Sequence, residues 1–121
     1  MAPDSDSGFS GNASRDISHG IVAIYKEYLG RGPTTARTTI SGDHVVTILD
    51  DSLTKAEHTL VQSGEEDTVR GMRRRFQMAM SEDITRLVEE VTGRKGRVML
   101  SDHNVERDIA IEMVVLEPDG E

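Results

Sequence analysis

The sequence predicts a single α+β domain: an antiparallel four-stranded sheet packed by helices, in the order α-β-β-α-α-β-β, with one long central helix. Residues 63–92 carry apolar side chains at steps of three and four, which is the period of an amphipathic helix. Short strand-like segments come in pairs on either side of this stretch. The members of each pair are separated by a short loop, so we expect them to pair antiparallel, as in other α+β domains.

The chain begins and ends with polar segments. Residues 1–15 are rich in Ser, Gly, Asp and Asn, and we expect a disordered tail because they bury too little apolar surface to offset the entropy of ordering. The folded domain is predicted to span residues 16–118, and residues 119–121 form a polar tail. A first helix is predicted from Asp16 to Gly30. Its apolar face carries Ile17, Ile21, Ile24 and Tyr28.

A hairpin and a short helix follow. Two strands, at residues 36–40 and 44–49, flank the loop Ser41-Gly42-Asp43, and a three-residue loop containing glycine is typical of a β-hairpin. The short helix is predicted over residues 53–62. Thr54 and Glu57 stand three positions apart at its start and match a capping box.

The long helix is predicted over residues 63–92. Ser63 is expected to cap it with Glu66 as the capping-box partner, and Gly93 is expected to end it. Arg73 falls within the apolar stripe, so its guanidinium must reach solvent, pair with a carboxylate, or face a subunit or ligand. Glu112 is a candidate partner. The stripe consists of Val69, Met72, Phe76, Met80, Ile84, Leu87 and Val91.

The last two strands are predicted at residues 97–100 and 108–116, with Asp102, His103 and Asn104 in a loop between them. Alternate residues of a strand point to opposite faces of the sheet. Both faces of the final strand are largely apolar, so both should be covered. If the helices pack on one face, a second subunit can cover the other, and we therefore expect a homodimer. One face carries Ile109, Ile111, Met113 and Val115, and the other carries Ala110, Glu112, Val114 and Leu116.

The charge balance and the absence of cysteine exclude several classes of function. The chain has 22 acidic and 14 basic residues, a net charge of -8, so we expect no nucleic-acid partner. Arg70, Arg74 and Arg75 of the long helix are expected to form a solvated face. Disulfides and thiolate metal sites are excluded. With neither a signal peptide nor an apolar stretch of membrane-spanning length, the expected location is the cytoplasm, without direct membrane insertion.

The segment between the first helix and the first strand is the candidate ligand-binding site. Gly30 and Gly32 expose backbone N–H groups, Thr34 adds a hydroxyl, and Arg31 and Arg37 add guanidinium groups suited to phosphate or carboxylate. These five residues would form an anion cradle, although the spacing of a Walker A loop is absent. The alternative is a helix-to-strand turn that needs glycine and proline for its geometry, with arginines exposed or paired to acids.

No catalytic constellation is readable in the sequence. The four histidines are scattered, without the HxxxH, HxH or HExxH spacing of a metal site, and no serine lies in a GxSxG turn. We therefore expect no metal, no cofactor and no catalytic residue. Arg73, Asp102 and His103 are the candidates for contact with a ligand or a partner subunit.

Four runs of residues resemble the MpsC family. They are IVAIYKEYLGRGPTTAR (21–37), LTKAEHTLVQSG (53–64), RRRFQMAM (73–80) and TGRKGRVMLSDHNVERDIAIEMVVLEP (92–118). The positions that match the family's pattern most closely are Tyr28, Gly30, Arg31, Gly32, Pro33, Arg37, Phe76, Gln77 and Asp102. The family takes its name from an operon for a sodium-translocating, membrane-potential-generating system, linked to uptake of dissolved inorganic carbon, in which membrane subunits carry out the transport.

The resemblance implies a non-catalytic cytoplasmic accessory protein associated with a membrane sodium or bicarbonate transport system, and therefore a membrane transport protein as a partner. The residues themselves suggest an alternative, a regulatory module that binds a small anion or a nucleotide through Arg31, Thr34 and Arg37. An enzyme would need an acid–base pair assembled from distant loops, which the sequence does not show.

Overall fold

A computed structural model describes residues 11–118, so most of the predicted N-terminal tail and the tail at 119–121 lie outside the described residues. The predicted order of elements and the α+β class are confirmed. The helices are α1 (Gly11–Leu29), α2 (Lys55–Gln62) and α3 (Glu66–Thr92). The strands are β1 (Thr35–Ser41), β2 (His44–Asp50), β3 (Gly96–Asn104) and β4 (Ile109–Leu116).

The four strands form one antiparallel sheet in the order β1-β2-β4-β3, so β1 and β3 are its edges. The helices α1 and α3 pack on one face, which we call the inner face. The core lies between this face and the two helices, and it includes Ile17, Ile21, Tyr25, Val45, Leu49, Met80, Ile84, Val88, Val114 and Leu116.

The short helix α2 has the predicted capping box, although it begins at Lys55, two residues after the predicted start. Thr54 is its N-cap, and the Thr54 hydroxyl accepts a hydrogen bond from the backbone N–H of Glu57. The Glu57 carboxylate in turn accepts one from the backbone N–H of Thr54. While it takes part in this reciprocal capping box, the Glu57 carboxylate also accepts hydrogen bonds from Arg73 at both of its oxygens.

Three local predictions are wrong. The long helix starts at Glu66 and not at Ser63: Glu65 is its N-cap without a side-chain cap, because Ser63 is instead the C-cap of α2. Helix α1 begins at Gly11, five residues before the predicted start. Asp102, His103 and Asn104 belong to β3 and not to a loop, because each pairs with a residue of β4.

The buried stripe of α3 runs through Val69, Arg73, Gln77, Met80, Ile84, Val88 and Thr92. It is rotated slightly from the predicted apolar stripe, since Val88 and not Leu87 is fully buried. Gly93 ends the helix in the left-handed conformation, as predicted. Among the described residues, no helix combines the length and the apolarity needed to cross a membrane.

Candidate functional site

A row of polar side chains crosses the inner face of the sheet, where apolar packing would be expected. Thr38, Thr47, Glu112 and Ser101 come from β1, β2, β4 and β3 and occupy directly paired positions. The hydroxyl of Thr38 is hydrogen-bonded to Ser18 of α1 at 2.7 Å and to Thr47 at 2.8 Å. Buried polar groups are costly unless they are paired, and here each hydroxyl has a partner.

Glu112 is the acidic group of this row, and it is 1% exposed. The Tyr25 hydroxyl donates to its Oε2 at 2.5 Å, and the Ser101 hydroxyl donates to its Oε1. Burial raises the pKa of Glu112, and hydrogen bonds from Ser101 and Tyr25 offset only part of that effect. Burial and the neighbouring Glu112 carboxyl raise the pKa of Tyr25 as well.

A pocket of about 240 Å³ opens between α3 and the edge strand β3, next to this row. Ser101 lines it, so one hydroxyl joins the pocket to the buried carboxyl of Glu112. Gln77 also lines it, and its side-chain amide donates to the backbone carbonyl of Asp102 at 3.0 Å. The remaining lining residues are Arg74, Met78, Ser81 and Met99.

A buried ion pair joins α3 to the start of α2. Arg73 binds Glu57 through two hydrogen bonds, Nε to Oε2 at 2.9 Å and Nη2 to Oε1 at 2.8 Å. Arg73 also donates to the backbone carbonyl of Ser52 at 2.6 Å. Burial opposes ionisation of Glu57, but the hydrogen bonds from Arg73 and Thr54 outweigh it and lower the pKa of Glu57. Of the three alternatives expected for Arg73, the structure shows pairing with a carboxylate, and the partner is Glu57 instead of the candidate Glu112.

Asp108 fixes the loop between β2 and α2. Its Oδ2 accepts from the backbone N–H of Leu53 at 3.0 Å, and its Oδ1 lies 3.0 Å from Nε2 of His103. Burial opposes ionisation of Asp108, but the hydrogen bonds from His103 and from the N–H groups of Leu53 and Ser52 lower its pKa to about 2. Asp108 therefore stays ionised at neutral pH, and its carboxylate holds the loop before α2 by accepting the hydrogen bond from Leu53.

One group of side chains at this loop has the donor set of a metal site. Asp51, His58 and Asp108 each offer one ligand atom, and these atoms lie within 4.8 Å of one another. Two Asp oxygens and one imidazole nitrogen suit zinc or a similar cation. However, Arg31 lies 3.5 Å from the Asp51 carboxylate, and both oxygens of Asp108 already accept hydrogen bonds. The two carboxylates of this cluster are therefore already engaged in contacts within the chain.

The predicted anion cradle is divided between two places. Arg31 donates to the backbone carbonyls of Leu53 at 2.5 Å and Asp51 at 2.9 Å, which ties the segment after α1 to the loop before α2. Arg37 lies in β1, is 74% exposed, and comes within 3.9 Å of Asp50. The ligand-binding role of this segment stays a prediction.

The other three members of the cradle take turn positions near these arginines. Gly30 has a φ of +86°, a conformation that glycine adopts without strain. Gly32 lies close to α1, where an added Cβ would come within 3.2 Å of the carbonyl oxygen of Val22. The hydroxyl of Thr34 faces the carbonyl of Asp50 at 3.4 Å.

The three predicted contact residues are not brought together. Arg73 and His103 are buried, at 1% and 5% exposure, and both face internal partners. Asp102 is exposed and lies on the opposite face of the sheet. Tyr25 and Ser101 are site residues that sequence reasoning missed, because nothing in a local pattern shows that a tyrosine of α1 meets a serine of β3 across the core.

The opposite face of the sheet, which we call the outer face, is not packed by any helix of residues 11–118. Its apolar side chains form a continuous patch over β2, β4 and β3. Three of them, Val98, Leu100 and Ile109, are 47%, 55% and 43% exposed. The predicted alternation of β4 is confirmed, because alternate residues of this strand are buried. The patch consists of Val46, Ile48, Val98, Leu100, Ile109, Ile111, Met113 and Val115.

Comparisons with known proteins identify the family. The family model described as "Na+-translocating membrane potential-generating system (MpsC)" matches residues 10–118. Searches of curated proteins and of solved structures found no match. Because the matched region covers nearly the whole chain, including every helix and strand described above, the chain belongs to the MpsC family.

Proposed function

We propose that this protein is a non-catalytic, homodimeric accessory component of a sodium-translocating, membrane-potential-generating system, and that the outer face of its sheet forms the dimer interface. The single observation that carries the proposal is the apolar patch on this face, which no helix of the described part of the chain covers. The role in a membrane system is supported by the description of the family to which the chain belongs.

The outer face has the composition of an interface. Soluble monomers rarely expose contiguous apolar patches of several hundred Å², and larger patches mark interaction sites. Four strands about 4.8 Å apart and about seven residues long present roughly 450 Å² per subunit, which is at the small end for a specific interface. We therefore expect a dimer whose population depends on protein concentration.

The inner side of the molecule supports an accessory role. Its buried ionisable groups are held by partners within the chain: Glu112 by Tyr25 and Ser101, and Arg73 by Glu57. Side chains so engaged stabilise the fold. Three of the four exposed large apolar side chains among the described residues, Val98, Leu100 and Ile109, lie instead on the outer face, where they are available for contact with another protein.

The first experiment measures self-association. Sedimentation velocity over about 1 to 500 μM should show a monomer–dimer equilibrium for the parent protein. Leu100→Glu places a charge in the patch and should weaken the dimer at least tenfold. Met78→Glu is the matched control, because Met78 is 72% exposed but lies on α3, away from the outer face. A parent protein that stays monomeric throughout, or equal effects of the two variants, would contradict the proposal.

The second experiment tests the accessory role in cells. Deletion of the gene in its source organism should lower the sodium-dependent part of the membrane potential, measured with a voltage-sensitive dye. Complementation with the parent or with Met78→Glu should restore it, whereas Leu100→Glu should not. An unchanged potential after deletion would refute the role in this system.

A further inference from the structure

We infer that the two subunits stack with β1 of one over β3 of the other, and that Arg37 pairs with the partner subunit's Asp102. This inference rests on the proposed homodimer, and it adds the orientation of the dimer and the two residues that select it. The argument comes from the order of side chains across the outer face.

One row of the outer face has opposite charges at its two ends. Arg37 is paired with Ile48, Ile48 with Ile111, and Ile111 with Asp102. The row therefore reads Arg, Ile, Ile, Asp from the β1 edge to the β3 edge. Its centre is apolar and its ends carry one positive and one negative charge.

Both charged ends are available to a partner. Arg37 is 74% exposed, and the nearest carboxylate oxygen, on Asp50, is 3.9 Å away, a distance at the limit of an ion pair. Asp102 is exposed, and its Oδ1 accepts a hydrogen bond from the backbone N–H of His103. A long arginine side chain can span much of the 10 Å that separates stacked sheets.

In a two-fold symmetric dimer, the order of charges along this row favours one orientation of the two subunits. A two-fold axis parallel to the strands reverses the order β1-β2-β4-β3, so that Arg37 of each subunit faces the partner's Asp102. The same operation places Ile48 over the partner's Ile111, and it keeps the two sheets nearly aligned, as in β-sandwiches.

The other face-to-face arrangement brings like charges together. A two-fold axis perpendicular to the strands places β1 over β1 and β3 over β3. The two copies of Arg37 then share one edge, and the two copies of Asp102 share the other. Because like charges disfavour an interface while opposite charges fix its register, the charge pattern favours the arrangement with β1 over β3.

Charge reversal at the two positions tests the orientation. Arg37→Asp and Asp102→Arg each convert two symmetric attractive pairs into repulsive ones, and each should raise the dimer dissociation constant about tenfold. The double variant restores opposite charges and should return the constant to within about threefold of the parent. Arg75→Asp, an exposed position on α3, is the control for net charge.

The outcomes separate this inference from the proposed function. If the parent dimerises and Leu100→Glu disrupts the dimer, but the single charge reversals have no effect or the double variant gives no rescue, the orientation is wrong and the homodimer stands. If the parent does not dimerise, both fail. Urea unfolding of each variant verifies that the domain remains folded, so that a loss of association is read as a change at the interface.

Discussion

Arg73 and Glu57 form a two-point ion pair in which both side chains are almost fully buried, at 1% and 6% exposure. Glu57 simultaneously completes the capping box of α2, so one carboxylate both caps the start of the short helix and neutralises Arg73 of the long one. The pair lies beside a small cluster of apolar residues separate from the main core, formed by Leu53, Val69 and Val105.

Removal of the arginine from this pair should destabilise the domain strongly. Arg73→Met leaves the Glu57 carboxylate buried without its counter-ion, and breaking one partner of a buried pair costs about 3–5 kcal/mol. Equilibrium urea unfolding at pH 7 measures the loss. Arg74→Met, at an exposed neighbouring position, should change stability by less than about 0.5 kcal/mol. A loss of similar size in both variants would show that the pair has no special role.

The Asp108 carboxylate should stabilise the domain in a pH-dependent way. Its pKa falls from an ordinary 3.8 to about 2 on folding, so the stabilisation is present above pH 4 and is lost as the pH falls towards 2. Asp108→Asn should therefore cost about 2 kcal/mol at neutral pH. Asparagine tolerates the positive φ of this residue, +55°, so the backbone is not strained.

The check for Asp108 is the difference in unfolding free energy between parent and Asp108→Asn as a function of pH. This difference should shrink between pH 4 and pH 2. Circular dichroism at each pH establishes that both proteins are folded before denaturant is added. A difference that is constant over this range would mean that the charge of Asp108 does not contribute.

Glu112 should have the opposite pH dependence. Its pKa is raised on folding, so the folded state binds the proton more tightly than the unfolded state. The favourable contribution is fully present below the ordinary pKa of 4.5 and is lost as the pH rises through the folded-state value. Glu112→Gln removes this titration, and its stability relative to the parent should increase above pH 4.5. Chemical denaturation from pH 4 to 8 measures the trend, and a flat relative stability would argue against a raised pKa.

Two helical glycines should respond differently to alanine. Among residues 11–118, no atom lies within 4 Å of a Cβ added at Gly71 in α3, so Gly71→Ala should stabilise the domain by about 0.5–1 kcal/mol. At Gly20 in α1 the added Cβ would meet the methyl groups of Leu87 at 2.5 and 2.6 Å. Gly20→Ala should thus be at least about 1 kcal/mol less stable than Gly71→Ala, since Leu87 must move. Thermal unfolding compares the two, and equal stabilities would contradict close packing of α1 against α3.

Local sequence patterns were sufficient for much of this fold. The alternation of β4 assigned its two faces, the spacing of Thr54 and Glu57 predicted the capping box of α2, and Gly93 marked the end of α3. These features depend on contacts between residues close in the chain, or on the fixed period of a helix or strand, so they can be read from the sequence.

Contacts between distant residues were decided by the tertiary structure. Glu112 was the candidate partner for Arg73, but the packing of α2 against α3 brought Glu57 to Arg73, while Tyr25 of α1 reached Glu112 across the core. Residues 102–104 likewise belong to β3, and not to the expected loop, because they pair with β4. The sequence by itself determined which faces of β4 are buried, the capping box of α2 and the residue that ends α3. Only the tertiary structure decided which charges meet, because that depends on the spatial arrangement of elements separated by many residues.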